Sequence, residues 1–299
     1  MDFFSYIHAV GTGVKGNRDL SYSEAKDMME QMLTQKATKE QIAAFLLGWR
    51  LKPETTEEFC ASLEVCDSFT KHIHVENAIE LGYPFDGKRK NPYLFPLVAK
   101  YLQKYNLNLV VAGDELQPAK GGITTKEVCS GVELGENVVF FDRKEYAPHM
   151  HNLTAIRNNL GLRTALNTIE KLPNVAQSKV AITGVFHKPY VKKYVEIFAN
   201  RYERFGLIQG NEGTPELFSK GRVWIAQNGS TKEFIADPRE YGIVYEKSHK
   251  EITLQESLQQ LNKPSNALVQ LAKFNAGVYL FVAGVCSSIK EGVELILGE

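Results

Sequence analysis

The stretch Phe85-Asp86-Gly87-Lys88-Arg89-Lys90-Asn91-Pro92 sets three consecutive cations on an Asp-Gly turn. An apolar run at 79–85 precedes it and reads as a strand. A helical period at 92–105 follows, with Leu94, Phe95, Val98 and Leu102 on one face. Asn91 is the expected N-cap and Pro92 the expected first helical residue. A helix N-terminus offers unpaired N–H groups and the positive end of a dipole, so Lys88, Arg89, Lys90 and Asn91 are candidate phosphate ligands. A second candidate nest is Lys120-Gly121-Gly122 ahead of Thr124-Thr125, in the loop 113–122, where Gly113 and Lys120 are further candidate phosphate ligands. The same residues also fit a plain turn with threonine caps.

A third set of cations lies in the segment expected to be a helix over 190–205. Lys192, Lys193, Arg201 and Arg204 lie on it, and Lys188 comes just before. Lys193, Arg201 and Arg204 fall near one another at helical spacing, which suits a nucleic-acid backbone. Glu196 and Glu203 interrupt the patch, and a solvated charged face fits as well. His149, His151 and His187 are tempting bases or ligands. The 149/151 pair would point to opposite faces of a strand, however, and no metal spacing accompanies it, so no metal site is expected.

The elements that must position these groups are an ordinary globular set. The chain has 299 residues, enough for one large or two modest domains. Its 35 cationic side chains balance 35 anionic ones, which excludes a strongly basic nucleic-acid coat and leaves only local patches. Cys60, Cys66, Cys129 and Cys286 form no C-x-x-C pair, which suits core thiols in a reducing cytoplasm. No secretory signal is visible, and the apolar run at 278–285 is too short to span a bilayer, so a cytoplasmic protein without membrane partners is expected.

Three capping boxes punctuate the first 67 residues, Ser21-x-x-Glu24, Thr38-x-x-Gln41 and Thr55-x-x-Glu58, and each opens an apolar helical period. They imply an antiparallel helical bundle. Gly11-x-Gly13-x-x-Gly16 matches a dinucleotide fingerprint by letter, but no strand precedes it, so a helix-to-helix turn is expected. From residue 79 strands alternate with helices: strands at 79–85, 107–112, 138–141, 180–186, 207–209 and 222–226, and late helices at 254–261 and 266–285. That pattern predicts an α/β domain with a mainly parallel sheet and ligand loops at the carboxyl ends of its strands.

The segments 20–26 and 37–58, Ala155-Ile-Arg-Asn-Asn-Leu-Gly-Leu-Arg-Thr-Ala-Leu-Asn167 and the C-terminal Asn275-Ala-Gly, Ala283-Gly and 287–292 resemble anthranilate phosphoribosyltransferase and glycosyltransferase family 3. The resemblance spans nearly the whole chain. It implies a helical domain at 1–67, completed by about 148–172, beside an α/β domain built from 75–147 and 173–299. It also implies a homodimer packed through the helical domains. His187, in the ligand loop 186–189, and Arg157 are the expected substrate-cleft residues. Arg157 stands at the place of the family's anthranilate-contacting arginine.

The departures from the family bear on function. The family's Gly-Thr-Gly-Gly-Asp pyrophosphate loop is replaced by Tyr83-Pro84-Phe85-Asp86-Gly87-Lys88, and its Asn-x-Ser-Thr by Asn91-Pro92-Tyr93-Leu94. Its Lys-His-Gly-Asn-Arg becomes Val111-Ala112-Gly113-Asp114-Glu115, and its Asp-Glu magnesium pair becomes Pro215-Glu216. Magnesium is therefore not expected as a cofactor. The segments 11–20, 86–91, 184–190 and 209–213 resemble a divergent bacterial branch, some members of which bind DNA or RNA instead. The sequence reading is a protein that has lost the parent reaction and binds a phosphate-rich ligand, foremost single-stranded nucleic acid. The alternative is an active transferase or phosphorylase with another substrate and no standard metal site.

Overall fold

The computed structural model describes residues 2–298. Four helices come first: α1 (Phe3–Gly11), α2 (Tyr22–Leu33), α3 (Lys39–Leu51) and α4 (Thr56–Ser68). All three capping boxes close as the sequence predicts. The box residue Glu58 does more than cap. Fully buried, it also accepts from the Trp49 indole at 2.9 Å and from Lys52 at 2.6 Å, so the same carboxylate that starts α4 ties it to α3. The glycine motif at 11–16 is the turn between α1 and α2, as expected.

The α/β part begins with β1 (Ala78–Gly82), α5 (Phe95–Leu102), β2 (Asn108–Gly113), α6 (Thr125–Gly131) and β3 (Val138–Asp142). Four short helices return toward the bundle: α7 (Arg143–Tyr146), α8 (Pro148–His151), α9 (Thr154–Leu160) and α10 (Leu166–Ile169). Then come β4 (Val180–Gly184), α11 (Pro189–Phe198), β5 (Arg204–Ile208), the hairpin β6 (Gly221–Gln227) and β7 (Ser230–Ala236), and finally α12 (Leu254–Asn262), α13 (Asn266–Ala283) and α14 (Ile289–Leu297).

The seven strands form one sheet in the order β3-β2-β1-β4-β5-β6-β7. Pairing is parallel from β3 through β5, and β6 and β7 are antiparallel. Side chains alternate between two apolar cores with the period of the pleat. Val110, Ala112, Trp224 and Ala226 join the core shared with the helical bundle, while Leu109, Val111, Val223 and Ile225 face α5 and α13. The chain steps outward in one direction from β1 to β2 and in the other from β4 to β5. The β1/β4 boundary is therefore the switch point, where loops diverge and leave a crevice at the carboxyl ends of the strands.

Several expectations need correction. The first helix of the α/β part starts at Phe95, not Pro92, and has no side-chain cap, so Asn91 and Pro92 belong to the preceding loop. The expected helix over 190–205 ends at Phe198. A short 3-10 turn follows, and Arg204 already lies in β5, so Lys193, Arg201 and Arg204 share no helical face. His149 and His151 lie on α8 rather than on a strand. The polar strand β7 has too little alternation of apolar residues to announce itself. No helix among the described residues is long and apolar enough to cross a membrane.

Candidate functional site

A cleft of about 470 Å³ opens at the switch point between the helical bundle and the sheet. The loop after β1 contributes Phe85 and Asp86, and the loop after β4 contributes Phe186 and His187. Tyr190 and Tyr194 face it from α11, Arg50 from α3, and Arg163, Thr164, Asn167 and Lys171 from around α10. Aromatic rings gather on one wall: Phe186 and His187 have centroids 6.3 Å apart, and His187 and Tyr190 6.5 Å apart. Phe186 and Tyr190 are 45% and 53% exposed, although rings of that size are usually covered. Much of the remaining lining is polar. Arg163 donates to Asp86 Oδ2 through Nε at 2.8 Å and also through Nη2, and Arg50 donates to the Arg163 carbonyl at 2.5 Å. Lys171 Nζ donates to the Gly184 carbonyl at 3.1 Å and sits 5.3 Å from the Tyr194 ring centre. Asp86 Oδ1 and Thr164 Oγ1 are buried there without a hydrogen-bond partner.

The cation turn lies beside this cleft, and its charges are committed in a way the sequence did not foretell. Lys88 is wholly buried. Its Nζ donates to Glu216 Oε2 at 2.5 Å and to the Pro92 carbonyl at 2.8 Å, and the Tyr93 and Phe218 rings pack over it. Lys88 is therefore the internal counter-ion of Glu216 rather than a surface phosphate ligand. Glu216 Oε1 accepts from the Tyr83 hydroxyl at 2.7 Å and the Leu94 N–H at 2.6 Å, so both carboxylate oxygens are satisfied. Arg89 pairs with Glu251 at 3.2 Å and remains partly exposed, and Lys90 is exposed. Asn91 is buried and accepts from the Ser248 N–H at 3.2 Å, so it too is structural.

The remaining sequence candidates divide clearly. His187 lines the cleft. Lys120 stands near it, 5.3 Å from the Phe186 ring centre, and donates to the Glu212 carbonyl at 2.8 Å. Burial pushes its ammonium below the ordinary lysine value, while Asp86 and Glu212 pull it back up. Gly113 ends β2 away from the cleft, where a Cβ would lie 2.5 Å from Thr125 Oγ1 and 2.7 Å from the Phe140 ring, so close packing demands glycine. Arg157 is a correction as well. It is fully buried, holds Glu170 through Nη1 at 2.6 Å and Nη2 at 2.9 Å, and does not line the cleft.

The basic set is largely spent on structure. Lys193 donates to the Glu54 carbonyl at 2.6 Å, Arg201 pairs with Asp67, and Arg204 donates to the Val282 carbonyl at 2.7 Å. Lys188 pairs with Glu233 at 2.7 Å and Lys192 with Glu196 at 3.8 Å, and both keep most of their surface. Sequence reasoning missed Arg163, Lys171 and Tyr194. Arg163 and Asn167 stood in the stretch that carried the family resemblance, which was the available signal. Lys171 and Tyr194 gave none.

A family model described as "Glycosyl transferase family, helical bundle domain" matches residues 5–68, and one described as "Glycosyl transferase family, a/b domain" matches residues 124–298. An uncharacterized protein of Aquifex aeolicus is 31% identical, covering 98% of this chain and 97% of its own length. Anthranilate phosphoribosyltransferase of a Marinomonas species is 25% identical over 93% of this chain and 88% of its own. Among solved structures, anthranilate phosphoribosyltransferase from Thermus thermophilus superposes with a TM-score of 0.78 at 21% identity, covering 99% of this chain and 93% of that one. The Saccharomyces cerevisiae enzyme in complex with PRPP and Mg gives 0.76 at 16% identity, covering 98% and 92%. At those identities the structural likeness speaks for the fold.

Proposed function

Because this chain belongs to glycosyl transferase family 3, with the helical bundle and α/β domain of the anthranilate phosphoribosyltransferase fold, we propose that it has exchanged metal-assisted transfer for the binding of a phosphate-bearing ligand. The observation that carries this reading is the Glu216–Lys88 pair. The one carboxylate left at the family's acidic pair is buried, fully hydrogen-bonded and already neutralised by an ammonium. A magnesium ion does not fit there: entering it would displace Lys88 into a dry core. Nor do the neighbours offer ligands, since the Tyr93 hydroxyl donates to the Ile123 carbonyl at 2.8 Å and Asn91 Oδ1 is engaged. Without a metal, the pyrophosphate charge that builds up in phosphoribosyl transfer has no matching cation, and that stabilisation is usually the largest catalytic contribution.

The ligand class we favour is single-stranded nucleic acid. Exposed Phe186 and Tyr190 offer faces to unpaired bases, and Lys188 and Lys192 next to them offer cations to the backbone. Fluorescence anisotropy with an oligothymidylate across a salt series tests this. The reading requires affinity tighter than millimolar at low salt, a steep fall with salt, and loss on Phe186→Ala with Tyr190→Ala. Salt-independent or absent binding sinks it. A second reading, a transferase or phosphorylase on another nucleoside or phosphorylated substrate, is favoured by Asp86 Oδ1 and Thr164 Oγ1, two buried polar atoms by the cleft that await a partner. Turnover of a nucleoside panel with phosphate, abolished by Asp86→Asn, would favour it over the first. The proposal includes a cytoplasmic homodimer joined through the helical domains, where Phe4 and Leu51 are 57% and 72% exposed. Sedimentation of the wild type and Leu51→Asp checks the dimer.

A further inference from the structure

The backbone amides of the cation turn hold an anion that belongs to the chain itself. Glu212 Oε1 accepts from the Arg89 N–H at 2.7 Å, and Oε2 accepts from the Lys90 N–H at 3.3 Å. One carboxylate thus straddles two successive amides, as two oxygens of a phosphoryl group would. The loop that carries Glu212 follows β5, comes from 123 residues away in sequence, and is fastened around this contact. Lys120 Nζ grips the Glu212 carbonyl, and Asn211 donates to Oε2 at 3.3 Å. Gly213, the next residue, lies at the cleft rim against Gly184, where a Cβ would stand 2.2 Å from the Gly213 carbonyl oxygen. Glu212 itself has φ 55°, a left-handed conformation that a non-glycine residue adopts at a cost of roughly 1–2 kcal/mol. The strain is held where the carboxylate meets the amides and the backbone meets the cleft.

We propose that Glu212 is a tethered pseudo-ligand, and that a phosphate-bearing ligand reaches the Arg89 and Lys90 amides only by displacing its carboxylate. The proposal rests on the reading of the cleft region as a phosphate-binding site and adds its regulation. A tethered group of this kind competes at high effective concentration, so the apparent affinity of any incoming anion falls by the fraction of molecules in which the loop is open. A dianionic terminal phosphate or pyrophosphate brings more charge than a carboxylate and displaces it. A singly charged diester brings no more, so of a single-stranded nucleic acid only a terminal phosphate would reach these amides. Released, the loop also frees the Gly213 edge of the cleft, which couples the turn to the aromatic wall.

Calorimetric titration of the full chain with inorganic pyrophosphate, on wild type, Glu212→Ala and Glu212→Gln, decides the matter. Removing the carboxylate should tighten binding by about tenfold, the gain expected when roughly one molecule in ten is open at rest. Glu212→Gln should fall between, since it keeps hydrogen-bond acceptance and loses the charge. A gain in affinity is not something a damaged fold produces, and Glu212→Gln decides if the alanine variant unfolds. Binding equal in all three proteins overturns the pseudo-ligand and leaves the phosphate site standing elsewhere in the cleft. No heat of binding in any of them, with the proteins folded, overturns both the pseudo-ligand and the phosphate reading of this turn.

Discussion

The turn at 88–90 and the helix α11 both carry runs of cations, yet the fold treats them oppositely. In the turn Lys88 meets a carboxylate 128 residues away, and that pair is fully dehydrated. On α11 the partner of Lys192 is one turn along the same helix, and both side chains stay in water. Dehydration decides the difference. A charge inside a dry core must be matched or the structure fails, whereas a pair at the surface gains little because water screens it. Cations of the first kind hold loops in place, and cations of the second kind are left to meet a ligand.

The sharpest way to break this contrast is Lys88→Met, which fills the same space and leaves Glu216 uncompensated. Denaturant unfolding should show a loss of about 3–5 kcal/mol, with much of it recovered in Lys88→Met/Glu216→Gln. A loss under about 1 kcal/mol would put the two regions in one class.

Glu80 in β1 extends the comparison to a buried carboxylate held by the Tyr202 hydroxyl and the Asn174 N–H. Burial, the largest influence, pushes its carboxyl up to about 7, against the Tyr202 hydroxyl hydrogen bond and the pull of Arg201, with Asp67 adding to the rise. The folded protein therefore holds this proton more tightly than the unfolded chain does. The resulting stability is fully present below the ordinary value of 4.5 and is lost as pH rises through 7. Melting curves across that window should show a loss on the order of 3 kcal/mol that Glu80→Gln removes. A Glu80→Gln protein with the wild-type pH profile would refute this.

Smallest of all should be Lys192→Ala. Its stability should change by less than about 0.5 kcal/mol, and any oligonucleotide binding should lose roughly one unit of salt slope if the residue contacts a phosphate. Lys188→Ala should act alike. A large stability loss in either would mean that α11 is as structural as the turn.

Much of the scaffold was legible from local chemistry. Ser21, Thr38 and Thr55 with their partners three residues on mark helix starts, because cap and box close within one turn. The parallel strands showed as apolar runs because both faces of the sheet are covered. The helix starting at Phe95 defeated the expectation of a cap at Asn91, because Ser248 claims the Asn91 side chain and Glu216 the Leu94 N–H. The site was legible only in part: His187 and the β1–α5 loop reach it, whereas Arg157 looks like a ligand residue and is a buried partner of Glu170.

The sequence by itself determined the two-part architecture and the location of the charged loops, since these follow from periodicities and caps that act over a few residues. It also set the expectation, from Asn91-Pro92-Tyr93-Leu94 and Pro215-Glu216, that magnesium is not a cofactor. Only the tertiary structure decided what each charge does. Whether Lys88 meets water or Glu216, and whether the Arg89 amide is open or filled by Glu212, depends on segments far apart in sequence that a parallel sheet brings together. Electrostatic energy depends on distance and hydration in space, and neither is written in the local order of residues.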